Sequence, residues 1–116
     1  MQTPLICAAV RGHLKILRLL LENQSDIDHM DSLGNTAAYY ASKYGHTDCL
    51  VQLIIECCNL ERRNKNGDTA GDVSPNELVR NLVKVGRRVH SVLVMLEPEK
   101  RQDYFKNQCI LFNIHL

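Results

Sequence analysis

Apolar residues along this chain recur mostly with the spacing of helices. Leu14, Ile16, Leu17, Leu20 and Leu21 cover more than one face of a helix, and Leu50, Leu53 and Ile54 repeat the pattern further on. A third and longer run, Leu78, Val79, Leu82, Val83, Val85, Val89, Val92, Leu93 and Leu96, ends at Glu97-Pro98. Short stretches rich in small residues precede the first two runs: Cys7-Ala8-Ala9 after Thr3, and Ala37-Ala38 after Thr36. Each threonine is placed to cap a short helix with its hydroxyl. Gly12 and Gly45 then end that helix in a left-handed turn, and a second helix starts at once. The predicted unit is turn, short helix, turn, longer helix and return loop, which makes the chain all-α.

Three landmarks share one period. Thr3, Thr36 and Thr69 stand 33 residues apart, as do the pairs Gly12-His13 and Gly45-His46, and so do Gly34 and Gly67. Gly34 and Gly67 each precede a threonine by two residues, where a tight turn favours positive φ. The period divides the chain into a first copy at 1–30 without its leading turn, a complete copy at 31–63, a degenerate copy with an extended helix at 64–96, and a tail at 97–116.

The residues Thr3-Pro4-Leu5, Ala8-Ala9, Gly12-His13 and the leucine run through Leu21, followed by Asp31, Gly34, Thr36, Ala41, Gly45-His46 and Leu53-Ile54, resemble the ankyrin repeat family from residue 2 to about 73, with a looser likeness to about 88. The resemblance implies a solenoid of stacked helix-turn-helix units, β-hairpin fingers projecting at right angles from one side, and a role in protein recognition. Departures from the family pattern accompany it. The histidine expected after Thr-Pro-Leu is Ile6, Tyr39 and Asp72 in the three copies, so the usual Thr-to-His bond between side chains is missing from each. Leu78-Val79 replaces Gly-His in the third copy, and Ser74-Pro75-Asn76 shortens its first helix. The first copy carries Leu5, Ile6, Leu14 and Leu21 with no polar cap before them, which leads to the expectation of a fragment of a longer array that melts low or without cooperativity.

Composition narrows the functions. With 116 residues there is room for one small domain, 45% apolar content suffices for a core, and 23% charged residues with a net charge of +1 provide no global field. Neither nucleic acid nor a membrane is expected as a partner. No apolar run reaches the roughly 18 residues that span a bilayer, and Met1-Gln2-Thr3-Pro4-Leu5 lacks the form of a secretory signal. Of five cysteines, Cys7 and Cys49 read as small core residues, and the adjacent Cys57-Cys58 is a poor zinc signature without a second pair. Reduced thiols point to the cytoplasm or nucleus. Asp26, Asp28 and Asp31 lack the glycine and glutamate of a calcium loop. His13 and His46 read as structural residues at the start of the second helices, and no cofactor is expected.

The candidate contact residues lie on the fingers and short helices. The first finger, about 29–35, is expected to expose Met30, Ser32, Leu33 and Asn35. The following short helix is expected to present Tyr40, Lys43 and Tyr44, as a contact surface or as ordinary surface, while Tyr39 packs inward. Lys65, Asn66 and Asp68 on the second finger, and Val10 and Arg11 on the first copy, complete the set. The second finger, 61–68, is basic and suits an acidic protein segment, and with Lys84 and Arg87-Arg88 it could form part of a nuclear-localisation signal. Gly86 is expected to kink or break the long helix, and Arg87 brings charge to a site that is apolar in the first copy, as in a terminal cap. The tail is open between strand, helix, disorder and a truncated end. No nucleophile beside a base and no phosphate-cradling loop is visible, so the expected function is non-catalytic protein binding. A spacer or cap within a longer array is the alternative.

Overall fold

The computed structural model describes residues 2–23 and 25–115. Among them are six helices and no strand: α1 (Pro4–Arg11), α2 (Leu14–Glu22), α3 (Ala37–Lys43), α4 (Thr47–Ile55), α5 (Glu77–Met95) and α6 (Pro98–Leu111). Helices α1 and α2 form one antiparallel hairpin and α3 and α4 the next, with α1 lying on α3 and α2 on α4. Helix α5 continues the stack beyond α4. The stacked solenoid that the resemblance implies is therefore the fold, and among the described residues the fingers are tight turns rather than extended ladders.

The periodic residues do what their chemistry predicts. Thr3 and Thr36 accept hydrogen bonds from the amides of Ile6 and Tyr39, both at 3.2 Å, and so cap α1 and α3. Gly12, at φ 72°, lets the His13 amide reach back to the Ala8 carbonyl at 2.9 Å. The same closure recurs at His46 and Ala41, again at 2.9 Å. Small side chains allow the close approach of the hairpins: Ala8, Ala9, Ala37, Ala38 and Ala41 are all buried.

The third copy loses its first helix altogether. Pro75 disfavours helical geometry at Ser74, and Thr69 and Asp72 bond reciprocally instead. The Asp72 carboxylate accepts from the Thr69 amide at 2.9 Å, and the Thr69 hydroxyl accepts from the Asp72 amide at 3.4 Å. Asp72 thus uses the histidine position to close a turn, and the Thr69 amide first, then the Thr69 hydroxyl, hold its carboxyl below the usual range. Asn76 then caps α5 through the Val79 amide at 3.0 Å.

Packing corrects two expectations, at Gly86 and Cys7, and decides one left open, the tail. Helix α5 runs through Gly86 without a break, and the glycine is there for space: a Cβ would stand 2.9 Å from Leu60 Cδ1 and 3.0 Å from Ile54 Cγ2. The glycine marks close approach of α5 to the second copy. Cys7 is exposed, not core, since it lies on the outer side of α1, whereas Cys49 is fully buried. The tail forms α6, which folds back on α4 and α5 and buries Phe105, Cys109 and Ile114. The Arg101 guanidinium on α6 donates to the Leu93 and Leu96 carbonyls at 2.8 and 3.2 Å, which satisfies the C-terminal end of α5.

Candidate protein-binding face

Each finger is built around one side chain that accepts from its own turn. Asp31 Oδ1 accepts from the amides of Leu33 and Asn35, both at 3.0 Å. One period later Asn64 Oδ1 accepts from the amides of Asn66 and Asp68, both at 2.9 Å. The two fingers are then tied together, with the Lys65 amide donating to the Leu33 carbonyl at 3.0 Å and the Asn64 side-chain amide to Asn35 Oδ1 at 2.8 Å. Arg63 closes the second finger by donating to the Gly67 carbonyl at 2.8 Å.

Tyr40 connects the fingers to the short helix. Its hydroxyl donates to Asp31 Oδ2 and accepts from the Asn35 side-chain amide at 3.1 Å. Burial alone would raise the Asp31 carboxyl, but the Tyr40 hydroxyl and the two turn amides together outweigh it and hold the group below its usual range. Burial, and then the bond to Asp31, push the Tyr40 phenol up. The Tyr40 ring lies parallel to that of Tyr44, with centroids 6.3 Å apart, and meets Tyr39 edge-on at 5.3 Å. Lys43 Nζ sits over Tyr39 and Tyr44 at 5.9 and 5.8 Å from their centroids.

Of the residues expected at the surface, Ser32, Leu33, Lys43, Tyr44, Lys65, Asn66 and Arg11 are exposed, while Val10 and Asp68 are half-buried. Tyr40 and Asn35 are not surface residues: their exposures are 7% and 5%. The polar ends of both are consumed by the Asp31 and Asn64 contacts, which draws them inward. Tyr39 packs as expected. His46 is structural too, its Nε2–H donating to the Val10 carbonyl 3.0 Å away in the preceding copy.

What remains outward on the ledge of fingers and short helix is Met30, Leu33 and Tyr44, with exposures of 40%, 58% and 50%. Lys43 and Lys65 stand on the same fingers and short helix. Arg62 lies against the Met30 sulfur, its Nη1 at 3.6 Å, and its guanidinium stays exposed. The chemistry of the thiols is equally bland: burial pushes Cys49 and Cys109 up to about 11 and Cys58 higher, so they stay protonated and poorly nucleophilic. Among the described residues no group of three or more His, Cys, Asp or Glu side chains could hold a metal ion, and no helix is long and apolar enough to cross a membrane.

Stacked helical hairpins with hydrogen-bonded turn tips define a repeat scaffold whose side chains face outward from a fixed frame. The chain belongs to the ankyrin repeat family: the family model for ankyrin repeats in many copies matches residues 5–54. Such repeats generally mediate protein–protein interaction, and the family is typically non-enzymatic. Among its relatives, the mouse ankyrin repeat and SAM domain-containing protein 6 is 38% identical over 95 residues, covering 76% of this chain and 11% of that protein. Human ankyrin repeat domain-containing protein 37 is 33% identical over 73 residues, with 63% and 46% covered. Rat protein phosphatase 1 regulatory subunit 12A is 29% identical over 99 residues, with 85% and 9% covered. The chain thus spans less than half the length of each of these relatives.

Proposed function

We propose that the chain is a non-catalytic binding module that holds a protein partner against the ledge of Met30, Leu33 and Tyr44. The observation that carries this reading is the exposure of large apolar side chains on turns whose own polar groups are internally satisfied. Such turns lose little freedom on binding, and apolar area removed from water then contributes at about 25 cal/mol per Å². Lys43 and Lys65 flank the ledge and suit an acidic stretch in the partner, while Arg11, Ser32, Asn66 and Asp68 form a polar rim. The five unpaired thiols fit a cytoplasmic or nuclear setting.

The test is quantitative capture. Leu33→Ser combined with Tyr44→Ala should lower capture of the partner at least tenfold while circular dichroism and melting stay unchanged, because both side chains are half-exposed or more. Capture at the wild-type level by that folded variant would overturn the reading.

A second reading, a spacer within a longer array, is favoured by one comparison. Ile16 is 47% exposed, whereas the residues one and two periods later, Cys49 and Leu82, are fully buried by the copy in front of them. A preceding hairpin would cover Ile16 in the same way and raise the melting temperature of the chain.

A further inference from the structure

At the far end of the stack from α1, one stripe of α5 meets the end of α6. Asn81, Lys84, Val85 and Arg88 recur at helical spacing along that stripe, and with Phe112 they line a cleft of about 160 Å³. Its floor is the buried Val85, and its far wall is the Phe112 ring, which the Arg88 guanidinium faces at 5.1 Å from the centroid. The wall is fixed rather than trailing. Asn113 adopts φ 63°, its amide donates to the Ile110 carbonyl and the Ile114 amide to the Cys109 carbonyl, both at 2.9 Å, and buried Ile114 locks the turn.

The charge of the cleft is uncompensated. Lys84 and Arg88 are exposed like charges one turn apart, a pairing that is itself slightly unfavourable. Among the described residues the ion pairs are Arg87 with Glu61 and Lys100 with Glu97, so neither cation of the cleft has a carboxylate partner. Helices α5 and α6 run antiparallel, with Arg101 near Leu93 and Phe112 near Arg88. The acids of α6, Glu99 and Asp103, therefore gather near the opposite end of the pair, and Glu77 is the sole acid on α5.

We propose that this cleft docks an extended acidic protein segment, with its carboxylates on Lys84 and Arg88 and an apolar side chain seated between Val85 and Phe112. Two cations beside an aromatic wall recognise alternating acidic and apolar residues, and the narrow concave shape takes one inserted side chain. A lipid surface fits less well, because the two most exposed apolar residues, Met95 at 86% and Leu111 at 75%, lie at opposite ends of the helix pair and form no single plane. The site is separate from the finger ledge, and its success or failure leaves that reading untouched.

The test uses the whole chain labelled with nitrogen-15. A synthetic peptide of repeating Glu-Leu-Glu-Glu should shift the amides of 81–88 and 112, and the same peptide with glutamine for glutamate should bind at least tenfold more weakly. Lys84→Glu with Arg88→Glu should weaken the acidic peptide at least tenfold, against less than twofold for Lys15→Glu with Lys106→Glu, which changes net charge equally elsewhere. Independently of any variant, raising the salt from 50 to 300 mM should weaken binding to the wild-type chain, as expected for charges in screened contact. Equal binding of the glutamine peptide, equal weakening by the distant pair of substitutions, or shifts at 81–88 produced by phosphatidylserine vesicles and not by the peptide would each overturn the proposal.

Discussion

Tyr40 shows how a side chain can look like a contact and serve as a strut. Tyr40→Phe keeps the ring against Tyr44 but leaves the Asn35 amide, 5% exposed, without its acceptor and removes a donor from Asp31. Loss of about 1–3 kcal/mol in urea unfolding is expected, the usual cost of a buried polar group left unsatisfied. The pH dependence has a definite sign. Asp31 titrates below its ordinary 3.8 in the folded chain, so its contribution is complete above that value and fades as the pH falls through the depressed one. Asp31→Asn should therefore flatten the acid limb of a stability profile relative to wild type. An unaltered acid limb would show that the finger network adds nothing. The tyrosine was legible as a residue on the short helix near the finger, but not its direction. Three tyrosines in six positions give no sign of which one the Asp31 carboxylate takes, since that choice depends on the finger folding back over α3.

Elements were the clearest part of the sequence, because helix caps and left-handed turns are local chemistry. Gly12 and Gly45 have nearly equal φ, 72° and 70°, yet different neighbours: a Cβ on Gly12 would meet His46 Nδ1 at 2.7 Å, while on Gly45 the nearest contact is Pro75 Cγ at 3.7 Å. Gly45→Ala should lose about 1–2 kcal/mol for the left-handed backbone alone. Gly12→Ala should lose distinctly more, since it also drives the His46 ring off the Val10 carbonyl and so loosens the second copy from the first. Equal losses for the two variants in denaturant titrations would mean that the ring yields freely and the histidine is no link between copies. Gly86 was harder to read. A glycine inside a helical pattern suggests a kink, and only the approach of Ile54 and Leu60 reveals it as a packing residue. Degeneracy of the third copy was readable from Ser74-Pro75, whereas the turn closed by Thr69 and Asp72 in place of the helix was not.

The whole molecule holds together differently from a plain row of repeats, and α6 is the reason. Its buried stripe is narrow, Phe105 and Cys109 with the half-buried Arg101 and Tyr104, while the apolar Ile110 and Leu111 lie exposed outside it, so sequence periodicity had little to detect. With α6 in place the core is continuous from Leu5 to Ile114, and α4 touches α2, α5 and α6. A single cooperative transition is expected in place of the ragged melting that two and a half separate copies suggest. Four thiols can report this site by site. Cys7 is exposed and should react with an alkylating reagent at once, whereas Cys49, Cys58 and Cys109 are buried in the second copy, the return loop and the C-terminal helix. If opening is global, the three should share one labelling rate set by the unfolding equilibrium, after correction for intrinsic thiol reactivity. Phe105→Ala, losing about 3–5 kcal/mol from a fully buried ring, should then speed all three together. Mass spectrometry of partially labelled wild-type protein decides the matter: Cys109 modified long before Cys49 would make α6 a separately docked appendage, and the stack would have to stand without it.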